Sequence, residues 1–325
     1  MTHRFLPSSL RPLPLVLAAV LVAPVAALGQ TDVPRTADGR PDPSGVWNFS
    51  TATPMQRPEE LAGKERLTAE EAAEYEALLA ERRLAGDSTS PTASLEARVS
   101  YEQAIWFERG DELAEYRTSL IVDPPNGRIP PMRPEAEARG LATRVMRGRP
   151  AVGPEDRGLS ERCLMGFNSG PPMTPSVYNN NVQLFLTGDH FGILNEMVHN
   201  ARLVPLDGRP HVPASLRQWA GDSRASWDGD TLVVETTNFL RETSFGGSSA
   251  NLHLVERFTR TGPDTLTYSF TATDPTTWAG PWTAEVRMTL SPEPLYEYAC
   301  HEGNYSMASS LTGAEAVRQA ENDGQ

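Results

Sequence analysis

Two stretches near the C-terminus alternate apolar and polar side chains with a period of two, and this pattern restricts the fold more than any other feature. In 264–272, Leu266, Tyr268, Phe270 and Ala272 point one way, and Thr265, Thr267, Ser269 and Thr271 the other. In 283–290, Ala284, Val286, Met288 and Leu290 oppose Thr283, Glu285, Arg287 and Thr289. Side chains of a strand alternate between faces, so each run predicts a sheet with one buried and one wet face. Further strands are expected near 182–187, 191–198, 201–206, 223–227, 231–238, 252–260 and 294–301. Turn signals separate them at Asp228-Gly229-Asp230, Thr261-Gly262-Pro263-Asp264 and Ser291-Pro292-Glu293-Pro294. The fold class is mainly β with an α-containing N-terminal segment. Eight or nine meandering strands point to an antiparallel barrel, which removes sticky edges; a two-sheet sandwich is the alternative.

The N-terminal half has a different texture. Residues 1–29 read as a signal peptide: Arg4 and Arg11 precede an apolar stretch from Leu13 to Leu28, broken by Pro14 and Pro24. Small residues at Ala27 and Gly29 place the cut after Gly29, with Ala27 as the rival. Later apolar runs fall short of the roughly 18 residues that a membrane span needs. The expected address is therefore the periplasm or the medium. Residues 30–160 form an irregular and helical segment packed on a barrel of 161–312, with 313–325 as a tail. Within that segment Gly45-Val46-Trp47-Asn48-Phe49 looks strand-like. Thr68, with Glu71 three positions later, starts a helix that runs to about Ala85, with Tyr75, Leu78, Leu79 and Arg82 along one side. A second helical piece is expected over 98–108 and a short strand over 117–122.

The formal charge of the chain is −13, and loss of Arg4 and Arg11 takes it to −15. Such a surface repels phosphate backbones, which argues against a nucleic-acid partner. Lys64 is the sole lysine, so Schiff-base chemistry has one candidate. The two cysteines, Cys163 and Cys300, predict a disulfide in an oxidising compartment. The alternative is a thiolate in Cys300-His301-Glu302, but neighbours on a strand point to opposite faces, which makes a poor nucleophile–base couple.

Candidate chemistry comes from side chains whose parity disagrees with their polarity. Glu256 alternates in step with Leu252, Leu254 and Phe258, so it is expected inside. A buried carboxylate is costly unless paired, or else its pKa rises. Glu256 is then either an acid–base group or half of a buried ion pair with an arginine. His199 shares parity with Phe191, Ile193 and Met197, and His301 with Glu297 and Ala299, which adds both to the catalytic candidates. Trp219, Trp227, Trp278 and Trp282 cluster in the β half, either as core or as pocket lining. Trp219, Trp227 and Trp282, together with Tyr268 and His211, are the ligand-binding candidates. Histidine spacing matches no metal motif, and no metal is assigned, although a three-His or His/Glu site gathered from separate strands stays open. Asp222 and Ser223 lack the Gly-x-Ser-x-Gly elbow of a hydrolase, and no glycine-rich phosphate loop is present, so no cofactor is expected.

Several segments resemble a family of uncharacterised exported bacterial proteins. They are Thr36–Trp47 (TADGRPDPSGVW), Arg117–Pro131 (RTSLIVDPPNGRIPP), Gly221–Phe239 (GDSRASWDGDTLVVETTNF) and Tyr296–Tyr305 (YEYACHEGNY). The resemblance implies export and transfers no catalytic residue. The β half is also similar to lipocalins in strand rhythm, which is a likeness of fold alone. Two functions are then expected. The first is a cofactor-independent acid–base enzyme acting on a small cyclic or aromatic molecule in a barrel pocket. The second is a non-catalytic binding protein for an apolar small ligand.

Overall fold

The computed structural model describes residues 33–88, 108–243 and 245–323. The signal-peptide segment and most of the expected helix over 98–108 lie outside the described residues. In chain order the described elements are β1 (Gly45–Asn48), α1 (Ala69–Ser88), β2 (Ile121–Asp123), α2 (Pro134–Arg147), β3 (Asn181–Leu186), β4 (His190–Asn195), β5 (Ala201–Pro205), β6 (Asp222–Asp228), β7 (Thr231–Thr237), β8 (His253–Arg260), β9 (Thr265–Thr273), β10 (Trp282–Leu290) and α3 (Tyr305–Asp323).

All the described strands belong to one antiparallel sheet in the order β5-β4-β3-β1-β10-β9-β8-β7-β6, with β2 added beside β10. Its inner face is a single core that draws residues from every strand, Trp47 of β1 and Val204 of β5 to Ala225 of β6. Phe191 of β4 meets Phe258 of β8 edge-on with ring centroids 5.1 Å apart, although the two strands are far apart along the sheet. One sheet whose distant strands share an interior is curled on itself, so the architecture is a nearly closed barrel and not a sandwich. The end strands β5 and β6 come alongside each other without a ladder between them. The two alternating runs are β9 and β10, and they pair in the register their polarity demands, Phe270 opposite Ala284 and Tyr268 opposite Val286.

Three expectations about organisation change. The N-terminal segment does not only pack on the barrel: β1 lies within the sheet between β3 and β10. The strand expected at 294–301 is extended chain and turn outside the sheet, and β1 fills the ring in its stead. The expected tail at 313–325 lies largely within α3. The helix α1 starts as read. The Glu71 amide donates to Thr68 Oγ1 at 3.2 Å, and the Thr68 amide donates to Glu71 Oε2 at 2.9 Å. This reciprocal cap satisfies two backbone donors that a helix start leaves open. Ala72 and Tyr75 pack on Leu67 and Leu113 in a small satellite core, while Leu78 is exposed.

Cys163 and Cys300 form a disulfide with Cα atoms 5.7 Å apart, packed on Met197 and Val198. The thiolate alternative for Cys300 is thereby excluded. No helix among the described residues is long and apolar enough to cross a membrane.

Candidate functional site

Parity places Glu256 inside, and it lies there with no exposed surface. Its partner is Arg202, projecting from β5 across the interior. The guanidinium donates through Nη1 to Oε2 at 2.5 Å and through Nη2 to Oε1 at 2.8 Å. The Tyr268 hydroxyl donates to Oε1 at 2.8 Å and accepts the Met173 amide at 3.0 Å. Burial, reinforced by the Glu256 charge, pushes the Tyr268 phenol well above its ordinary value, so it remains a donor. Burial pulls the Arg202 guanidinium down, but the Glu256 carboxylate outweighs that effect and holds it above its ordinary value. Both carboxylate oxygens are thus occupied by a planar cation and a phenol, in a core filled by Trp47, Phe191, Phe258 and Phe270. This geometry satisfies a buried charge.

The other two catalytic candidates are elsewhere. His199 sits on a short 3₁₀ turn, Met197–His199, that ends the expected strand early, and its Nδ1 bonds the Tyr298 carbonyl at 2.8 Å at the exposed surface. His301 is exposed in a turn, because the strand expected to aim it inward is not formed. Neither joins Glu256. The ligand-binding candidates also separate. Trp282 and Tyr268 are core residues with 1% and 0% exposure. Trp227 lies at the edge of the core under the Arg40 guanidinium, 5.2 Å from its ring centre. Trp219 lies 6.0 Å from the Arg162 guanidinium.

His211 belongs to a polar cluster on the outer face of β6, β7 and β8. Its Nδ1 is 2.8 Å from Asp222 Oδ2, which also accepts the Val212 amide at 3.0 Å, while Asp222 Oδ1 accepts Arg224 Nη1 at 2.7 Å. Burial raises the Asp222 carboxyl, but the Val212 amide, His211 and Arg224 together hold it below its ordinary value. Gly221 makes the entry into β6 with φ +70°, where a Cβ would lie 2.6 Å from the Thr237 carbonyl oxygen. On β7 Glu235 accepts His253 Nε2 at 2.6 Å. Sequence reasoning singles out His211 and Asp222 separately and passes over Glu235. The signal available is parity, which sets Glu235 and His253 on the wet face.

Concave surface lies outside the barrel core. A cleft of about 400 Å³ opens where the chain leaves β1 and enters β3. Met55, Leu120, Pro175 and Val177 give it apolar walls, and Thr51, Ser176 and Arg109 add polar atoms. A smaller cleft of about 310 Å³ is lined by Glu108, Glu196 and Glu293 beside Asn48 and Asn181, a carboxylate-rich lining unsuited to anions.

No protein-family model matches the chain, and no curated protein matches it. Among solved structures, a secretary abundant heat soluble (SAHS) protein from Ramazzottius varieornatus is similar over 34% of this chain and 70% of its own length. The two share 14% identity with a TM-score of 0.24, so the barrel is assigned here from its own strand ladders.

Proposed function

We propose that the chain is an exported, non-catalytic binding protein for a small, largely apolar molecule, seated in the cleft between the end of β1 and the start of β3. The observation that carries this reading is the state of Glu256. The acid–base group expected in a barrel pocket is sealed in the core and saturated by Arg202 and Tyr268. Catalysis at that residue has no support, whereas the cleft has a volume within the range of small-molecule sites, roughly 300–1,000 Å³, and apolar walls at Met55, Leu120, Pro175 and Val177. Export is supported by the disulfide, since such bonds persist in oxidising compartments. N-terminal sequencing of the secreted or periplasmic protein is expected to begin at Gln30 or close to it; a retained Met1 rejects export.

A thermal-shift screen of small cyclic and aromatic molecules tests the binding reading. A ligand at about 100 times its Kd stabilises the fold by about 2.7 kcal/mol. Val177→Arg places a long charged side chain in the cleft and is expected to abolish that shift without changing the melting of the free protein. A ligand that still stabilises the Val177→Arg protein equally lies elsewhere, and conversion of any hit to product rejects a purely binding role.

A further inference from the structure

The outer-face cluster around His211 has the components of a metal site, independent of the cleft. Three of its side chains bring donors to one place from three parts of the chain. Glu235 stands on β7 directly opposite Val255 of β8, and His253 is two positions from Val255 on the same wet face. His211 arrives from the connection between β5 and β6, which is fixed on both sides of it. Arg224 Nε donates to the Pro210 carbonyl at 3.0 Å, and Asn238 Nδ2 donates to the Val212 carbonyl at 2.9 Å.

The orientation of the His211 ring is informative. The Asp222 carboxylate already accepts from an amide and a guanidinium, so it acts as an acceptor toward His211 as well, and Nδ1 carries the proton. In the neutral ring Nε2 then presents a lone pair. That Nε2 is buried and makes no hydrogen bond among the described residues, and it lies 3.9 Å from Glu235 Oε2. The other oxygen of the same carboxylate holds His253 Nε2 at 2.6 Å. Two imidazole Nε2 atoms thus flank one carboxylate, and one of the two rings is held from behind by a buried aspartate. A carboxylate behind Nδ1 is the arrangement that orients histidines ligating a metal. Among the described residues no three such side chains are already arranged as a closed metal-ligand set; here His253 Nε2 bonds Glu235 and His211 Nε2 stands 3.9 Å from it, so the three must draw together around an ion.

We infer that His211, Glu235 and His253 form a site for a divalent first-row transition metal, with Asp222 as the residue that positions His211. Two imidazoles and one carboxylate suit such ions and leave room for a further ligand from solvent. Binding replaces the His253–Glu235 hydrogen bond with two bonds to the ion. The proton on His253 Nε2 moves to Nδ1, or to solvent if the ring was doubly protonated. Asp222 and Glu235 supply two negative charges against Arg224, the cation on β6 directly opposite Glu235 in the ladder.

The probes are Zn²⁺, followed by isothermal titration and by elemental analysis after gel filtration, and Co²⁺, followed by its visible absorption. Metal-stripped, untagged protein is expected to take one equivalent. His211→Ala, His253→Ala and Glu235→Gln are each expected to abolish stoichiometric uptake. Asp222→Asn is expected to keep the stoichiometry and weaken affinity about 10–100-fold. His253 and Glu235 are 41% and 51% exposed, so their variants are expected to melt like the parent without metal, which separates lost ligation from lost folding. Absence of stoichiometric uptake overturns the site. So does uptake unchanged in the His211→Ala/His253→Ala double variant, which would place the ion at His190, His199 or His301. Either result leaves the reading of the cleft untouched.

Discussion

Arg202→Met is expected to lower the unfolding free energy by about 3–5 kcal/mol, because it strands a fully buried carboxylate in an aromatic core. Glu256→Gln should cost a similar amount from the other side: its amide oxygen still accepts from Tyr268, but the guanidinium is left without a counter-charge at 7% side-chain exposure. The informative variant is the double replacement, Arg202→Met with Glu256→Leu. Removing both charges together removes their desolvation cost, and such exchanges are frequently neutral or stabilising. The residual cost then belongs to the Tyr268 hydroxyl, which loses its acceptor while still receiving the Met173 amide. Urea unfolding of the three proteins measures this. If either single variant loses less than about 1 kcal/mol, Arg202 and Glu256 are relieved by solvent and do not form a sealed charge pair.

Opening the disulfide is expected to be comparably large. Cys163 and Cys300 are 137 residues apart, and the loop between them holds every strand from β3 to β10. Constraint of the unfolded chain by a loop of that length stabilises by up to about 4–5 kcal/mol. Cys163→Ala with Cys300→Ala should therefore lower the denaturant midpoint strongly and raise the m-value, because the unfolded chain without the cross-link exposes more surface, and the parent should match it once reduced. A loss below about 1 kcal/mol would show that the oxidised unfolded chain gains little freedom when the bond is absent.

The parts of this molecule that can be read from sequence are those with strict local periodicity. In β8, β9 and β10 alternation reveals the strands, their buried faces and the interior position of Glu256, because every inward position but Glu256 and Arg260 is apolar. The partner of Glu256 is hidden by a misleading neighbour. In β5, Leu203 is 72% exposed while Arg202 and Val204 point inward, the reverse of what polarity suggests for the first two. Burial of Arg202 follows from a charge pair across the barrel, and such a contact has no local signature. The histidines fail for a different reason. The inward placement of His301 extrapolates a strand over 294–301 where the chain makes none, so its parity has no meaning. The grouping of His211, Glu235 and His253 has no fixed spacing because one connection and two strands contribute one residue each. The 45–49 stretch is visible as a strand, but its neighbours, β3 and β10, are set by long-range pairing.

That insertion of β1 has a consequence for the order in which the molecule can be completed. Trp47 pairs with Leu290 on one side and Val182 on the other, so the ring cannot be joined until nearly the entire polypeptide has emerged. The hairpin series β3–β4–β5 and the meander β6 to β10 are made of consecutive strands and can zip locally, whereas β1, synthesised first, can close the ring only when β10 is available to pair with it. Until that pairing forms, the facing borders of β1 and β10 carry unsatisfied backbone groups, the kind of template on which foreign strands assemble. The interval between the synthesis of Trp47 and that of Leu290 is therefore the period of greatest exposure to mispairing. A chaperone that shields this chain while it folds has its clearest target in those two borders, and the pairing of β1 with β10 is what removes that target.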